Sequence, residues 1–256
     1  MLLGVAGCGG PPLKPWHTVD LDAEFTVEKS DEVEGFEGYL RLEDRLFEQL
    51  EKLVYAEMPT GPEYALERYS AGSAADPRQR ERNWNRSFEL KADAPTGAVL
   101  LLHGMSDSPY TFRVLAQTLN EQGFWVMALR LPGHGTAPSG LASVSWQDMA
   151  AAVSVAMKHL VDRVGDKPIH VIGYSTGAPL AVSYTLDALE DKVTRIPDSL
   201  VFVSPAVSLH RAAALAGWKH ALSKVPGLGG LAWLQVLPEF DPYKYNSFPT
   251  NAAEQV

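Results

Sequence analysis

Residues 169–177 read Ile169-His170-Val171-Ile172-Gly173-Tyr174-Ser175-Thr176-Gly177. The apolar run up to Ile172 has strand character, and the unbroken stretch from Thr176 to Leu189 has helix character. Between them lies a turn too tight for side chains, flanked by Gly173 and Gly177. Ser175 can therefore hold a strained backbone with its hydroxyl exposed. The helix that opens at Thr176 brings a positive dipole end and free N–H groups to the same spot. A bare G-x-S-x-G is common in proteins. In this strand–turn–helix setting it marks Ser175 as a nucleophile.

Outward from this point the chain alternates strand and helix patterns. Ala98 to Leu102 is a continuous apolar strand, Pro109 to Gln122 a helix with Pro in its first turn, and Phe124 to Leu129 a strand. Trp146 to Val164 is a longer helix ended by Gly165. Pro168 to Ile172 and Leu200 to Val203 are further strands. Alternation of this kind predicts an α/β fold, a mostly parallel sheet with helices on both faces and ligands at the strands' carboxyl ends. Residues 28–57 predict a helix with Phe36, Leu40, Phe47, Leu50 and Val54 on one face. Residues 70–83 read as a polar loop. The organisation expected is a signal-like stretch and tether at 1–27, an acidic helix and loop at 28–83, a core at 84–204 and a lid at 205–256.

Ala98 to Pro205 resembles the α/β-hydrolase superfamily, most closely its carboxylesterase and monoacylglycerol-lipase branch, filed with the S33-type serine aminopeptidases. The matching pieces are HGMSDSPYTF, RLPGHGTAPS, SWQDM and GYSTG, in the family's order. The resemblance implies an oxyanion hole formed by the backbone N–H groups of Met105 and Thr176. It makes His103, Gly104, Gly173 and Gly177 structural residues near the site. His134, in the Pro132-Gly133-His134-Gly135 turn, would be structural too. His17, His159 and His170 fall on a tether, a helix and a strand, and His210 and His220 on the lid.

The triad of this family continues with an acid and a histidine after the lid. Only 81 residues follow Ser175, and the presumed lid takes 52 of them. The reading is therefore a fold truncated after the lid, with its last two strands missing, in a fragment of a longer protein. Asp241 sits in a lid-like context and makes a poor replacement acid.

Composition narrows the function classes. Of 256 residues, 46% are hydrophobic and 21% charged, which excludes a disordered chain. The net charge of −9 argues against nucleic acid as a partner. Residues 28–57 hold ten acidic and four basic side chains, read as a solvated outer face. A single cysteine, Cys8, excludes an internal disulfide and a cysteine-based zinc site. Val5-Ala6-Gly7-Cys8 resembles a bacterial lipobox, with Cys8 as the lipidated residue, although no Lys or Arg precedes it. That resemblance implies membrane attachment at the cell envelope; without it, the protein is cytoplasmic.

The leading expectation is a cofactor-free serine hydrolase cleaving carboxylic esters through an acyl-enzyme on Ser175. Trp218, Leu231, Trp233, Leu234, Leu237 and Phe240 in the lid suggest an apolar acyl chain in the substrate, or simply pack the lid. Two alternatives stand beside it. One is a non-catalytic member lacking a complete triad; the other is a peptidase or thioesterase on the same fold.

Overall fold

The apolar runs at 97–102 and 169–174 lie side by side in the computed structural model, which describes residues 12–190, 192–206 and 229–255. Cys8, His210, Trp218 and His220 lie outside those residues. Five strands form the main sheet: β1 (Phe88–Leu90), β2 (Gly97–Leu102), β3 (Phe124–Leu129), β4 (Ile169–Tyr174) and β5 (Ser199–Val203). Their order is β1-β3-β2-β4-β5, with β1 antiparallel and all other pairings parallel. The chain has the α/β-hydrolase fold. Register places Leu102 opposite both Leu129 and Gly173, so the loops after β2, β3 and β4 emerge at one edge.

The helices, in chain order, are α1 (Pro15–Thr18), α2 (Gly35–Leu53), α3 (Arg113–Glu121), α4 (Ser139–Ser143), α5 (Trp146–Val164), α6 (Gly177–Leu189) and α7 (Thr250–Glu254). Side chains of β2 alternate between two apolar layers, as strand geometry requires. Val99 and Leu101 pack with Phe112 and Ala116, on the α3 side. Ala98, Leu100 and Leu102 pack with Met149, Val153, Leu180 and Tyr39, from α5, α6 and α2. Helix α5 runs between the residues expected, because Ser145 and Asp148 form a reciprocal capping box and Gly165 closes it at φ +60°. The expected helix at 109–122 is divided: Pro109–Phe112 is a 3₁₀ turn, and α3 begins at Arg113.

Three expectations need correction. The helix read over 28–57 is shorter, since Val27–Glu32 is a 3₁₀ turn and α2 opens only at Gly35, at φ +64°. Its buried face is Phe36, Tyr39, Leu42, Glu43, Leu46 and Leu50, leaving Leu40 and Phe47 at the margin. The acidic segment is therefore not wholly a solvated face, because Glu43 is internal. Nor are the described residues up to 27 a free tether. Trp16 stacks on Tyr69 at 4.9 Å, and Trp16, His17 and Phe25 are all buried. The described part of the presumed lid is seated on the body as well: Tyr245 and Ala252 join the main core, and Asn251 donates to the carbonyls of Leu141 and Val144.

Among the described residues, β5 forms one edge of the sheet, and Val201, Phe202 and Val203 are 43–46% exposed there. An apolar edge of this kind recruits other strands. The 256-residue chain is therefore expected to self-associate. A Val201→Lys/Phe202→Lys variant should sediment as a smaller species; an unchanged profile would rule this edge out as the cause. No described helix is long and apolar enough to cross a membrane.

Candidate active site

Ser175 stands between β4 and α6 at φ +50°, in the left-handed region that non-glycine residues avoid. Its backbone is held from three sides. Its N–H donates to the Val203 carbonyl at 3.0 Å, and its own carbonyl accepts from Ala178 N–H at 3.1 Å and Ala206 N–H at 3.2 Å. These bonds fix a conformation that costs about 1–2 kcal/mol. The residue is half-buried, and Thr176 behind it is buried.

The loop after β2 lies directly against this turn. A Cβ placed on Gly104 would sit 3.1 Å from the Ser175 Cβ and from the Tyr174 ring, a tight approach that a larger residue keeps only if these side chains shift by a few tenths of an ångström. Met105 follows, partly buried against the main core. Ser106 then takes a second left-handed conformation, φ +65°. Asp107 N–H closes the turn onto the Gly104 carbonyl at 3.2 Å. Among the described residues, neither Met105 N–H nor Thr176 N–H has a hydrogen-bond acceptor.

Each described histidine is engaged elsewhere. His103 accepts from Leu131 N–H at Nε2 (3.1 Å), so Nδ1 carries the proton and donates to the Gly104 carbonyl (2.9 Å). Burial, and then neighbouring His134, hold its imidazole well below the usual range. It is a neutral brace across two loops. His134 bonds the Pro132 carbonyl through Nδ1 at 2.8 Å, and burial pulls it down to about 4. His17 bridges Lys14 N–H and the Ser247 hydroxyl, His159 meets Glu89 and His170 meets Ser199. None bonds Ser175. Asp241 spends its carboxylate on the N–H groups of Tyr243 and Lys244, as a turn-former.

Sequence reasoning missed Arg130, which ties the third loop to the body. Its guanidinium, 1% exposed, contacts Glu43 at 3.0 Å and Glu24 at 2.8 Å and donates to the His134 carbonyl at 3.0 Å. Glu24 also accepts from Gly133 N–H, and Glu43 from Ser87. An arginine just beyond an apolar strand, with acids spread along a preceding helix, was the available signal. Breaking a buried pair by removing one partner strands the other charge, at a cost of about 3–5 kcal/mol. Arg130→Met is expected to lose that much in urea unfolding; a loss under about 1 kcal/mol would mean the network is effectively solvated.

A cavity of about 850 Å³ runs along α2 between Asp22, Lys29, Arg41 and Arg45, and takes in no residue of the serine site. Of the apolar residues proposed to line a lid, Trp233 packs edge-on to His17 at 4.7 Å. Leu234, Leu237 and Phe240 are exposed.

A family model described as serine aminopeptidase, S33 (Hydrolase_4) matches residues 93–242, more than half of the chain and all of the loops above. The chain belongs to the serine aminopeptidase S33 family. Among curated proteins, this S33 chain is 30% identical over 116 residues to a thermostable monoacylglycerol lipase of Bacillus sp. (strain H-257), covering 45% of each. It is 25% identical over 120 residues to the phospholipase YtpA of Bacillus subtilis (strain 168), covering 46% of this chain and 44% of that protein. The chain thus spans about half the length of the curated relatives it matches. Among solved structures, one from a study of the metagenome-derived lipolytic enzymes LipS and LipT aligns with a TM-score of 0.53 at 23% identity. That alignment covers 67% of this S33 chain and 66% of the other, and it shows the shared fold.

Proposed function

We propose that this protein hydrolyses carboxylic esters through an acyl-enzyme on Ser175. The observation that carries the reading is the strained serine at φ +50°, at the head of a 13-residue helix, with the Gly104 loop in contact with it. In the proposed step, the Ser175 hydroxyl attacks the ester carbonyl and loses its proton to a general base. The new oxyanion is held by the N–H groups of Met105 and Thr176. Each such donor is worth about 3 kcal/mol of barrier. The leaving alcohol takes the proton back, and water then deacylates the serine by the same route. The chemistry requires neither metal nor organic cofactor. His103 and His134 are ill suited as the base, being buried, neutral and already bonded. The base is assigned to a histidine outside the described residues.

Similarity to a monoacylglycerol lipase and a phospholipase supports an ester with an apolar acyl chain as the substrate class. A fluorophosphonate probe tests the nucleophile. Labelling should fall on Ser175 and disappear in Ser175→Ala; labelling elsewhere, or none, refutes the proposal. Turnover of p-nitrophenyl esters but not of aminoacyl anilides would separate ester from peptide chemistry.

A further inference from the structure

Three consecutive residues of a distant segment grip the loop that carries Met105. The Tyr243 ring lies flat on Tyr110, with centroids 3.8 Å apart and planes 11° from parallel. Lys244 Nζ stands 3.6 Å from Asp107 Oδ1. Tyr245 N–H donates to the Ser106 carbonyl at 2.9 Å. Tyr243, Lys244 and Tyr245 thus meet Tyr110, Asp107 and Ser106 in reverse order, as an antiparallel strip would.

The strip is itself anchored on both sides. The buried Tyr245 hydroxyl accepts from Thr136 N–H at 2.7 Å and donates to the Gly133 carbonyl at 3.3 Å. Its ring faces the Arg68 guanidinium at 5.2 Å. On the other side, the Asn85 side-chain amide donates to the Pro242 carbonyl at 2.8 Å, and the Asp241 carboxylate caps the turn. The loop it grips needs such support, because Ser106 is left-handed without being glycine. Two residues before Ser106, Gly104 touches Ser175.

We infer that Tyr243, Lys244 and Tyr245 are positioning residues that hold the Met105 N–H at its working distance from the Ser175 carbonyl adduct. The inference rests on the acyl-transfer reading of Ser175. The Lys244–Asp107 pair adds little affinity of its own, since Lys244 is half exposed. Its role is geometric. A misplacement of about 1 Å at a reacting centre lowers rate by about 10²-fold.

The test combines kinetics with amide exchange in Lys244→Met, Tyr243→Leu and Asp107→Asn, using p-nitrophenyl butyrate. Each is expected to lower kcat about ten-fold with KM unchanged within about two-fold, the pattern of an interaction made only in the transition state. The Asp107→Asn/Lys244→Met double variant should be no worse than either single one, because the two share one contact. Amides 104–107 should exchange about ten-fold faster while α5 keeps its protection. Lys158→Met, which removes an exposed pair on α5, serves as the unaffected control. An unchanged kcat, or a fall matched by a rise in KM, overturns the inference. If wild type and Ser175→Ala turn over the ester equally, the acyl-transfer reading fails, and exchange at 104–107 alone decides whether the strip holds the loop.

Discussion

Replacing Ser175 by alanine is expected to lower ester turnover by roughly 10⁶-fold, the scale seen when the nucleophile of a catalytic unit is removed. The fold should survive, because the bonds that fix the turn come from backbone: Ser175 N–H to Val203, and Ala178 and Ala206 N–H to Ser175. Ser175→Gly makes a sharper prediction. Glycine adopts φ +50° without the penalty of about 1–2 kcal/mol that serine bears there, though it gives back up to about 1 kcal/mol through a freer unfolded chain. The net gain should be about 0.5–1 kcal/mol, raising the melting midpoint by up to about 4 °C. An inactive variant that melts higher is the signature of strain kept for function. Differential scanning calorimetry and ester kinetics on both variants check this. A Ser175→Gly protein that melts lower would mean the hydroxyl stabilises the fold, and the strain argument would fail.

Strands β2, β3 and β4 and helix α5 were legible because each carries its own signal. Strand β2 is buried along its whole length and reads as a continuous apolar run, β3 is buried over its last four residues, β4 shows its apolar Ile169, Val171 and Ile172, and α5 opens on a capping box and ends at Gly165. The elbow was legible through its motif: Gly173 is demanded by its own turn, where a Cβ would meet the Gly177 and Ala178 backbone, whereas the demand on Gly177 comes from Leu102 on β2. What escaped depends on partners remote in sequence. Glu43 reads as one more surface acid on α2 until Arg130, 87 residues on, is brought beneath it. With Glu43 counted as polar, the periodicity of α2 settles on Leu40 and Phe47 instead of Tyr39, Glu43 and Leu46. Trp16 and Phe25 looked like tether because nothing nearby could bury them; Tyr69 and Tyr39 do so from other elements. Tyr243 to Tyr245 read as part of a Pro- and Tyr-rich stretch of lid, since Tyr110, Asp107 and Ser106 lie over 130 residues away.

Gly177→Ala is the substitution expected to damage the fold most. A Cβ there would lie 2.1 Å from the Leu102 carbonyl oxygen and 2.6 Å from its carbon, inside the backbone of a fully buried strand. Side chains can rotate away from an intruding methyl, at about 1–3 kcal/mol, but a central strand paired on both sides cannot move without breaking β3 and β4 pairings. The cost should therefore exceed about 5 kcal/mol, enough to leave little folded protein. Gly165→Ala is the matched comparison. A Cβ on Gly165 would meet nothing within 4 Å, and only its φ of +60° resists substitution, at about 1–3 kcal/mol. Urea unfolding of the two variants separates close packing from backbone strain. If Gly177→Ala were no worse than Gly165→Ala, α6 could back away from β2, and the serine at its head would not be fixed against the Gly104 loop. The contact that excludes a methyl at 177 is thus the one that seats the helix under the nucleophile, which makes the elbow's second glycine a requirement of packing and of chemistry together.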